Sequence, residues 1–159
     1  MPFVQALILI IVANAAPVAL TTLLLNRPGY PLDFDVTLPD GRPLLGPSKT
    51  LRGSCAAVLA CGIAALVLGY PLVTGLKAGG ATMLGDLLSS FTKRRLGRPS
   101  SSRATGLDQV PESLFPALVL APDLGLGFAQ VLAIVLVFFV LEVIVSPVLY
   151  RLGLRKTPW

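Results

Sequence analysis

The sequence predicts an all-α, polytopic membrane protein with about five transmembrane helices and two basic cytoplasmic loops. Hydrophobic residues make up 54% of the 159 positions and charged residues only 13%, and the mean hydropathy is +0.80. A water-soluble domain of this size would be hard to keep in solution at that composition. No second domain or internal repeat is evident, so we expect one integral membrane domain over residues 1–159.

Three apolar runs are long enough to cross a hydrocarbon core of ~30 Å, which takes about 20 helical residues. They cover residues 3–25, 51–70 and 125–150. The first run has no basic residue before its apolar part, and it is too long for a typical cleaved signal peptide. We therefore expect it to be a retained span.

Hydropathy alone does not decide whether two further segments cross the membrane. Residues 73–91 are rich in glycine and alanine, which suits a helix packed between others, and Gly75 and Gly79 form a small-xxx-small pair. The stretch "ESLFPALVLAP", within the predicted span 111–122, is short and contains Pro116. Its residues alone allow a kinked span or a re-entrant piece.

The positions of the basic residues favour a full crossing of the membrane by residues 111–122. Lysine and arginine cluster in three places, within 26–52, within 93–103 and after residue 150. Five spans put all three clusters on one side, and short basic loops are retained in the cytoplasm. This predicts an external N-terminus, cytoplasmic loops at 26–50 and 92–110, and a cytoplasmic tail at 151–159.

The two predicted loops differ in character. Residues 27–47 are proline-rich and contain the turn signal "PDG", which indicates an extended arm or small hairpin. The second loop is basic and contains serine and glycine, as an anion-binding lid would. Histidine is absent and the two cysteines are expected to be packing residues. Any chemistry must therefore rest on carboxylates, cations and hydroxyls.

Asp86 is a carboxylate inside an apolar segment, where a charge costs a few kcal/mol and usually faces a bundle interior. On a helix it shares a polar stripe with Ser89 or Ser90 and with Lys93. An alternative is that Asp86 only forms an ion pair with Lys93 or Arg94 that eases helix packing.

The stretch "GPSKTLRG", residues 46–53, begins the second span. A helix N-terminus there, with the hydroxyls of Ser48 and Thr50 and the charges of Lys49 and Arg52, would suit a phosphate. The glycines of a Walker loop are missing. The alternative is ordinary basic decoration of a cytoplasmic helix end.

The stretch "TGLDQVPE", residues 105–112, precedes the fourth span. Asp108 is predicted to lie near Asp86 at the cytoplasmic end of the helices. The alternative is that Asp108 only caps a helix. Two carboxylates facing phosphate-binding cations suit a hard cation such as Mg²⁺. Glu142 lies at a similar depth in the last span and could balance a buried cation. Together these features predict a phosphate-handling site at the membrane–cytosol boundary.

Taken in order, these motifs resemble the archaeal CDP-archaeol synthases, which are similar in design to the CDP-diacylglycerol synthases. The resemblance rests on "PLDFDVTLPDGRPLLGPSKTLRG", "GDLLSSFTKRRLGR" and "GLDQ" before a further span, and it covers nearly the whole chain. This chain departs from the family pattern at "PSKTLRG", where many relatives carry a glycine before the lysine and an aromatic residue before the arginine.

The resemblance implies that CTP and 2,3-bis-O-(geranylgeranyl)-sn-glycerol 1-phosphate give CDP-archaeol and pyrophosphate with Mg²⁺. By motif, Asp86 and Asp108 are the metal positions, and with Lys49 and Lys93 they form the catalytic set. The implied substrate-binding positions are Ser48, Thr50, Arg52, Ser89, Arg94, Arg95 and Gly106. The implied partners are CTP, the isoprenoid lipid and the bilayer, without nucleic acid. The oligomeric state, a homodimer included, stays open.

This reaction fits the composition, because a phosphate monoester is already largely dianionic at neutral pH and needs no histidine base. A gap lined by Gly79, Gly80, Ala81 and Gly85 is expected to leave the isoprenoid chains in lipid. Two rival hypotheses remain: a small-anion transporter or channel with Asp86 as its coupling residue, and a scaffold whose loops bind anionic headgroups.

Overall fold

The computed structural model describes residues 1–24 and 29–151, which form five α-helices. They are α1 (Pro2–Leu23), α2 (Leu51–Val67), α3 (Leu72–Arg95), α4 (Gln109–Leu124) and α5 (Phe128–Arg151). The described residues contain no β-strand, which confirms the all-α class for that part of the chain. The end of the first predicted span and the predicted tail after Arg151 lie outside the described residues.

Two of the described helices are long and apolar enough to cross a membrane, namely Pro2–Leu23 and the Phe128–Val148 part of α5. The apolar helix α2 has 17 residues, or about 26 Å, and α4 has 16, or about 24 Å, so both are short for a full crossing. α3 is longer but more polar. The crossing of the membrane by α2, α3 and α4 stays a prediction.

The helix α3 lies at the centre of the bundle, where it packs against α1, α2 and α4, while α1 contacts all four other helices. Glycines make this approach close. A Cβ atom at Gly75 would overlap the carbonyl of Cys61 in α2, and one at Gly85 would overlap the carbonyl of Pro111 in α4. The low hydropathy of α3 therefore has a structural cause. Glycines replace larger apolar residues on the faces of α3 that contact the backbones of α2 and α4.

The same packing corrects the prediction of a lipid gap along α3. A Cβ atom at Gly79 would lie 2.7 Å from Val58 Cα, Gly85 is pressed against α4, and Ala81 is buried. Only Gly80 in that set faces open space. The prediction was wrong because a run of small residues also marks close helix packing, and here α2 and α4 fill the space.

The two ends of the bundle have different contacts. At one end Lys77 in α3 forms a 3.3 Å ion pair with Asp123 in α4. The other end, termed the basic end, holds the loops that join α1 to α2 and α3 to α4. The second half of α5 is there too, because Glu142 lines the same cavity as Lys49 and Asp108. The basic loops thus share one end, as five antiparallel crossings require.

We expect Gly75→Ala to lower the thermal unfolding midpoint of the detergent-solubilised protein, measured by circular dichroism. Overpacking costs about 1–3 kcal/mol, which exceeds the helix-propensity gain of about 1 kcal/mol from replacing glycine. The matched control is Gly80→Ala, because a Cβ atom there meets nothing within 4 Å. Equal midpoints for the two variants would contradict backbone-level packing of α3 on α2.

Candidate active site

A cavity of about 1070 Å³ opens at the basic end and is lined by residues from all five helices and from the loop before α2. We call it the main cavity. Its charged lining residues are Lys49, Arg52, Asp86, Lys93, Arg94, Arg103, Asp108, Glu112 and Glu142. Its apolar lining comes mainly from α1 and α5 and includes Ile11, Val18, Phe138, Leu141 and Val145. Charged groups and an apolar wall therefore face the same space.

The carboxylate of Asp86 is paired with Lys49, at 2.5 Å between Oδ1 and Nζ. Asp86 lies in the C-terminal half of α3, whereas Lys49 comes from the loop just before α2. The sequence alternative paired Asp86 with Lys93 or Arg94, and that pairing was wrong. Lys93 and Arg94 are engaged elsewhere, so the charge of Asp86 is balanced across helices rather than along α3.

Asp108 forms the second ion pair of the main cavity, with its Oδ1 atom 2.7 Å from Lys93 Nζ. Its other oxygen accepts a hydrogen bond from the Ala104 backbone N–H at 2.9 Å, and no side-chain hydrogen bond caps α4. Lys93 also donates to the Ser102 carbonyl at 3.2 Å. The side chain of Lys93 is only 9% exposed. Asp108 and Lys93 together fold the second loop against α3.

Glu112 is the carboxylate that sequence reasoning missed. It lies in the first turn of α4, one helical turn after Asp108, and its carboxyl group is close enough to that of Asp86 for a hydrogen bond. The close contact of Gly85 with the Pro111–Glu112 backbone brings these two side chains together. The i, i+4 spacing of Asp108 and Glu112 was a usable signal, because both fall on one helix face.

The loop before α2 is shaped by Asp33, which is 5% exposed. Its Oδ2 atom accepts hydrogen bonds from the N–H groups of Leu45, at 2.8 Å, and Gly46, at 2.9 Å. Its Oδ1 atom accepts from Asp35 N–H at 3.3 Å. Burial raises the pKa of Asp33, but the hydrogen bonds from these backbone N–H groups together lower it by more. The pKa of Asp33 therefore lies below its usual value.

This clamp fixes where Lys49 emerges. Lys49 N–H donates to the Gly46 carbonyl at 3.2 Å, and its own carbonyl accepts from Leu32 at 2.7 Å. Gly46 has a φ of 96°, a backbone conformation that residues with a Cβ atom rarely adopt. Thr50 then caps α2 by accepting from Gly53 N–H at 3.3 Å. Lys49 therefore leaves a fixed turn and points to Asp86.

The structure brings most of the predicted site residues into the main cavity. Those that line it are Ser48, Lys49, Thr50, Arg52, Asp86, Lys93, Arg94 and Asp108. Ser48 also accepts a hydrogen bond from Ser100 at 3.1 Å, which joins the two loops. Residues separated by up to sixty positions thus share one space, as the sequence predicted.

Three predicted residues do not line the main cavity, and each has another contact. Ser89 is buried and donates to the Asp86 carbonyl at 2.9 Å. Gly106 lies in a turn with a φ of 88°, where its N–H donates to the Gln109 side chain. Arg95 pairs with Asp40 at 2.5 Å and donates to carbonyls of residues 42 and 43. Arg95 therefore holds the first loop on α3, and its contact with a phosphate stays a prediction.

The donor set of the main cavity fits part of a Mg²⁺ shell. Among the described residues no group of three or more acidic, histidine or cysteine side chains has ready-made metal-site geometry. Asp86 and Glu112 nevertheless line the same cavity from facing segments of α3 and α4, where Gly85 contacts the backbone of Glu112. Carboxylate oxygens are ligands that Mg²⁺ prefers, and it takes its other ligands from phosphates and water.

Comparison with known proteins gives a consistent result. A family model described as "CarS-like: CDP-archaeol synthase" matches residues 3–159. The chain is 36% identical to a CDP-archaeol synthase of Sulfurisphaera tokodaii, covering 82% of each chain. It is 32% identical to one of Hyperthermus butylicus, over 98% of this chain and 94% of the relative.

A solved structure is also similar, with a TM-score of 0.71 and 28% sequence identity. The match covers 90% of this chain and 91% of the other. That structure is described as "Structural insight into an intramembrane enzyme for archaeal membrane lipids biosynthesis". The five-helix arrangement is thus similar to that of a membrane-embedded enzyme.

We expect amide exchange at Leu45 and Gly46 to report on Asp33. At pH 7, Asp33→Asn should speed exchange at these amides by about tenfold, because hydrogen bonds to a charged acceptor are stronger than those to a neutral one. In the native protein the pKa of Asp33 is lowered, so protection should be complete above the ordinary pKa of an aspartate and lost as pH falls through the lower native pKa.

The matched control is Asp35→Asn, because Asp35 is exposed and its φ of 60° is one that asparagine tolerates. Exchange in this variant should match the native protein at both amides. Unchanged exchange at Leu45 and Gly46 in Asp33→Asn would contradict the clamp.

Proposed function

The chain belongs to the CDP-archaeol synthase family, and from that premise we propose that the main cavity is where a cytidylyl group passes from CTP to a lipid phosphate. The protein is a membrane cytidylyltransferase of archaeal phospholipid biosynthesis, and its product is CDP-archaeol. We take its lipid substrate to be 2,3-bis-O-(geranylgeranyl)-sn-glycerol 1-phosphate. The basic end then faces the cytoplasm, where CTP is available.

The observation that carries this proposal is the convergence of two Lys–Asp ion pairs in one cavity that also has an apolar wall. Lys49 with Asp86 and Lys93 with Asp108 come from separate segments of the chain. The apolar lining from α1 and α5 suits isoprenoid chains, and the charged lining suits phosphates. A nucleotide and a lipid headgroup can thus meet at one point.

In the reaction, an oxygen of the lipid phosphate attacks the α-phosphorus of CTP. The new P–O bond joins lipid phosphate to CMP, the bond from the α-phosphorus to the bridging oxygen breaks, and its electron pair leaves with pyrophosphate. Because the attacking phosphate is already largely dianionic, no side chain has to remove a proton. The work of the protein is to bring polyanions together and to stabilise the leaving charge.

The cavity cations serve that purpose. Before substrates bind, Lys49 and Lys93 neutralise two carboxylates, which holds both kinds of group in place at low electrostatic cost. Incoming phosphates would offer the lysines other anionic partners, and the carboxylates of Asp86 and Asp108 would then be available as ligands for Mg²⁺, with phosphate and water oxygens completing its shell. That ion would supply positive charge to the transferring and leaving phosphates. Arg52 at the α2 N-terminus and Arg94 complete the phosphate surroundings.

The lipid chains are placed along the α1–α5 side of the main cavity. Ile11 and Val18 of α1 and Leu141 and Val145 of α5 line it there. Neither α2 nor α3 packs against α5 among the described residues, so this side is the least closed part of the bundle. The headgroup can therefore enter while the chains stay in the bilayer. This position replaces the gap along α3 that the sequence indicated.

Asp86→Asn and Asp108→Asn should each lower pyrophosphate release from CTP by about 100-fold or more, because each removes charge from the reacting phosphates' surroundings. Release is measured with purified protein, the phosphorylated isoprenoid glycerol ether and added Mg²⁺. The control Asp123→Asn removes a carboxylate whose partners, Lys77 and Thr74, lie at the other end of the bundle. It should retain native turnover. Native turnover in Asp86→Asn or Asp108→Asn would remove that residue from the site.

Lys49→Arg should lower turnover at least about tenfold, since a planar guanidinium does not replace a compact ammonium at a single-point contact. The matched change Lys77→Arg, at the exposed pair with Asp123, should leave turnover unchanged. A scaffold that only binds anionic headgroups would tolerate both changes. Net anion movement across vesicles without pyrophosphate release would support the transporter hypothesis instead.

A further inference from the structure

The loop between α1 and α2 carries large apolar side chains that project from the protein. Tyr30 is 83% exposed, Phe34 is 77% exposed and Val36 is 47% exposed. None of these three described residues lines the main cavity. Single exposed apolar residues are common on proteins, but a group within one short segment marks a contact with something outside the chain. We call residues 30–36 the aromatic turn.

Backbone hydrogen bonds tie the aromatic turn to the start of α2. Leu51 N–H donates to the Tyr30 carbonyl at 3.0 Å, and Leu32 N–H donates to the Lys49 carbonyl at 2.7 Å. Leu51 is the first residue of α2, and its apolar side chain is also exposed. The aromatic turn therefore lies beside the end of an apolar helix, and not at the far tip of the hairpin.

The end of α1 marks the membrane surface on the same side of the bundle. α1 is long and apolar enough to cross a membrane, ends at Leu23 and packs against α2. α2 has 17 residues, or about 26 Å of helix, against a hydrocarbon core of about 30 Å. Apolar groups beside the end of α2 would reduce that mismatch. Tyr30 and Phe34 are such groups, and aromatic rings are enriched at the headgroup layer.

The backbone of the aromatic turn holds Phe34 in an unusual conformation. The φ angle is 49° at Phe34 and 60° at Asp35, in the left-handed region that bulky residues rarely adopt. Strain of this kind persists where surrounding contacts impose it. Val36 N–H donates to the Asp33 carbonyl at 3.0 Å, and the Asp33 carboxylate binds two further N–H groups of the loop. The clamp at Asp33 thus fixes the backbone from which the Phe34 ring projects.

We propose that Tyr30 and Phe34 form an interfacial anchor, which inserts between the lipid headgroups of the leaflet at the basic end. The occupant of this surface is the bilayer that the protein spans. The contact is apolar and not electrostatic, because the exposed carboxylate of Asp35 next to Phe34 opposes attraction to anionic lipids. Through the Asp33 clamp, the anchor holds the loop that carries Lys49 at a fixed height above the hydrocarbon.

The test places a fluorescent reporter at the anchor. Phe34→Trp is combined with Trp159→Phe, since Trp159 is the single tryptophan of the chain. The full-length protein is reconstituted in vesicles of zwitterionic phospholipid that carry a nitroxide quencher just below the headgroup. The matched control is Pro39→Trp in the same background, because Pro39 is exposed in the turn at the tip of the hairpin. We expect quenching at least about twofold stronger for Phe34→Trp, because interfacial rings lie at headgroup depth.

A second reporter and a salt series complete the test. Tyr30→Trp, which lies outside the positive-φ positions, should be quenched as strongly as Phe34→Trp and decides the outcome if the latter does not fold. Raising the salt from about 0.1 M to about 1 M should leave quenching unchanged, although it screens exposed charges.

Equal quenching at the anchor and at Pro39, or loss of quenching at high salt, overturns the proposal. Emission from Phe34→Trp that shifts to the blue with increasing protein-to-lipid ratio, without quenching by lipid, also overturns it. That result would identify a second copy of the chain as the occupant.

Discussion

The ion pair between Lys49 and Asp86 ties the loop before α2 to the central helix α3. An unpaired carboxylate among apolar helices would be expensive, so Asp86 requires a cation at its own depth. Lys49 can supply it only if the loop before α2 folds back across the end of the bundle. Asp33 makes that fold possible by binding two backbone N–H groups of the loop. The charge of Asp86 thus constrains the path of the loop before α2, which the structure describes over residues 29–50.

Glycine packing determines where that pair lies relative to the other charged groups. Gly75 and Gly79 bring α3 to the backbone of α2, and Gly85 brings it to the backbone of α4. These contacts set the position of Asp86 along the bundle axis, so that it lies next to Lys49 and faces the same cavity as Glu112. The polar face of α3 is thereby turned inward, and the protein needs no long apolar run in its central helix.

The charges of the basic end are arranged in two layers. In the main cavity, Lys49 and Lys93 are each paired with a carboxylate. Nearer the loops, Arg42, Arg94 and Arg98 donate to backbone carbonyls, and none of them forms an ion pair with a carboxylate among the described residues.

The helices, the position of the two basic loops at one end, and the meeting of Lys49, Asp86 and Asp108 in one cavity could be predicted from the sequence. These features follow from apolar run length, helix period and loop charge, all of which are local. The pairing of Asp86 with Lys49, the presence of Glu112 in the site and the contact of Arg95 with the first loop depend on the packing of the helices. That packing also decided that the glycines of α3 close a gap instead of opening one. Those outcomes depend on which helix faces meet, and facing residues are distant in sequence.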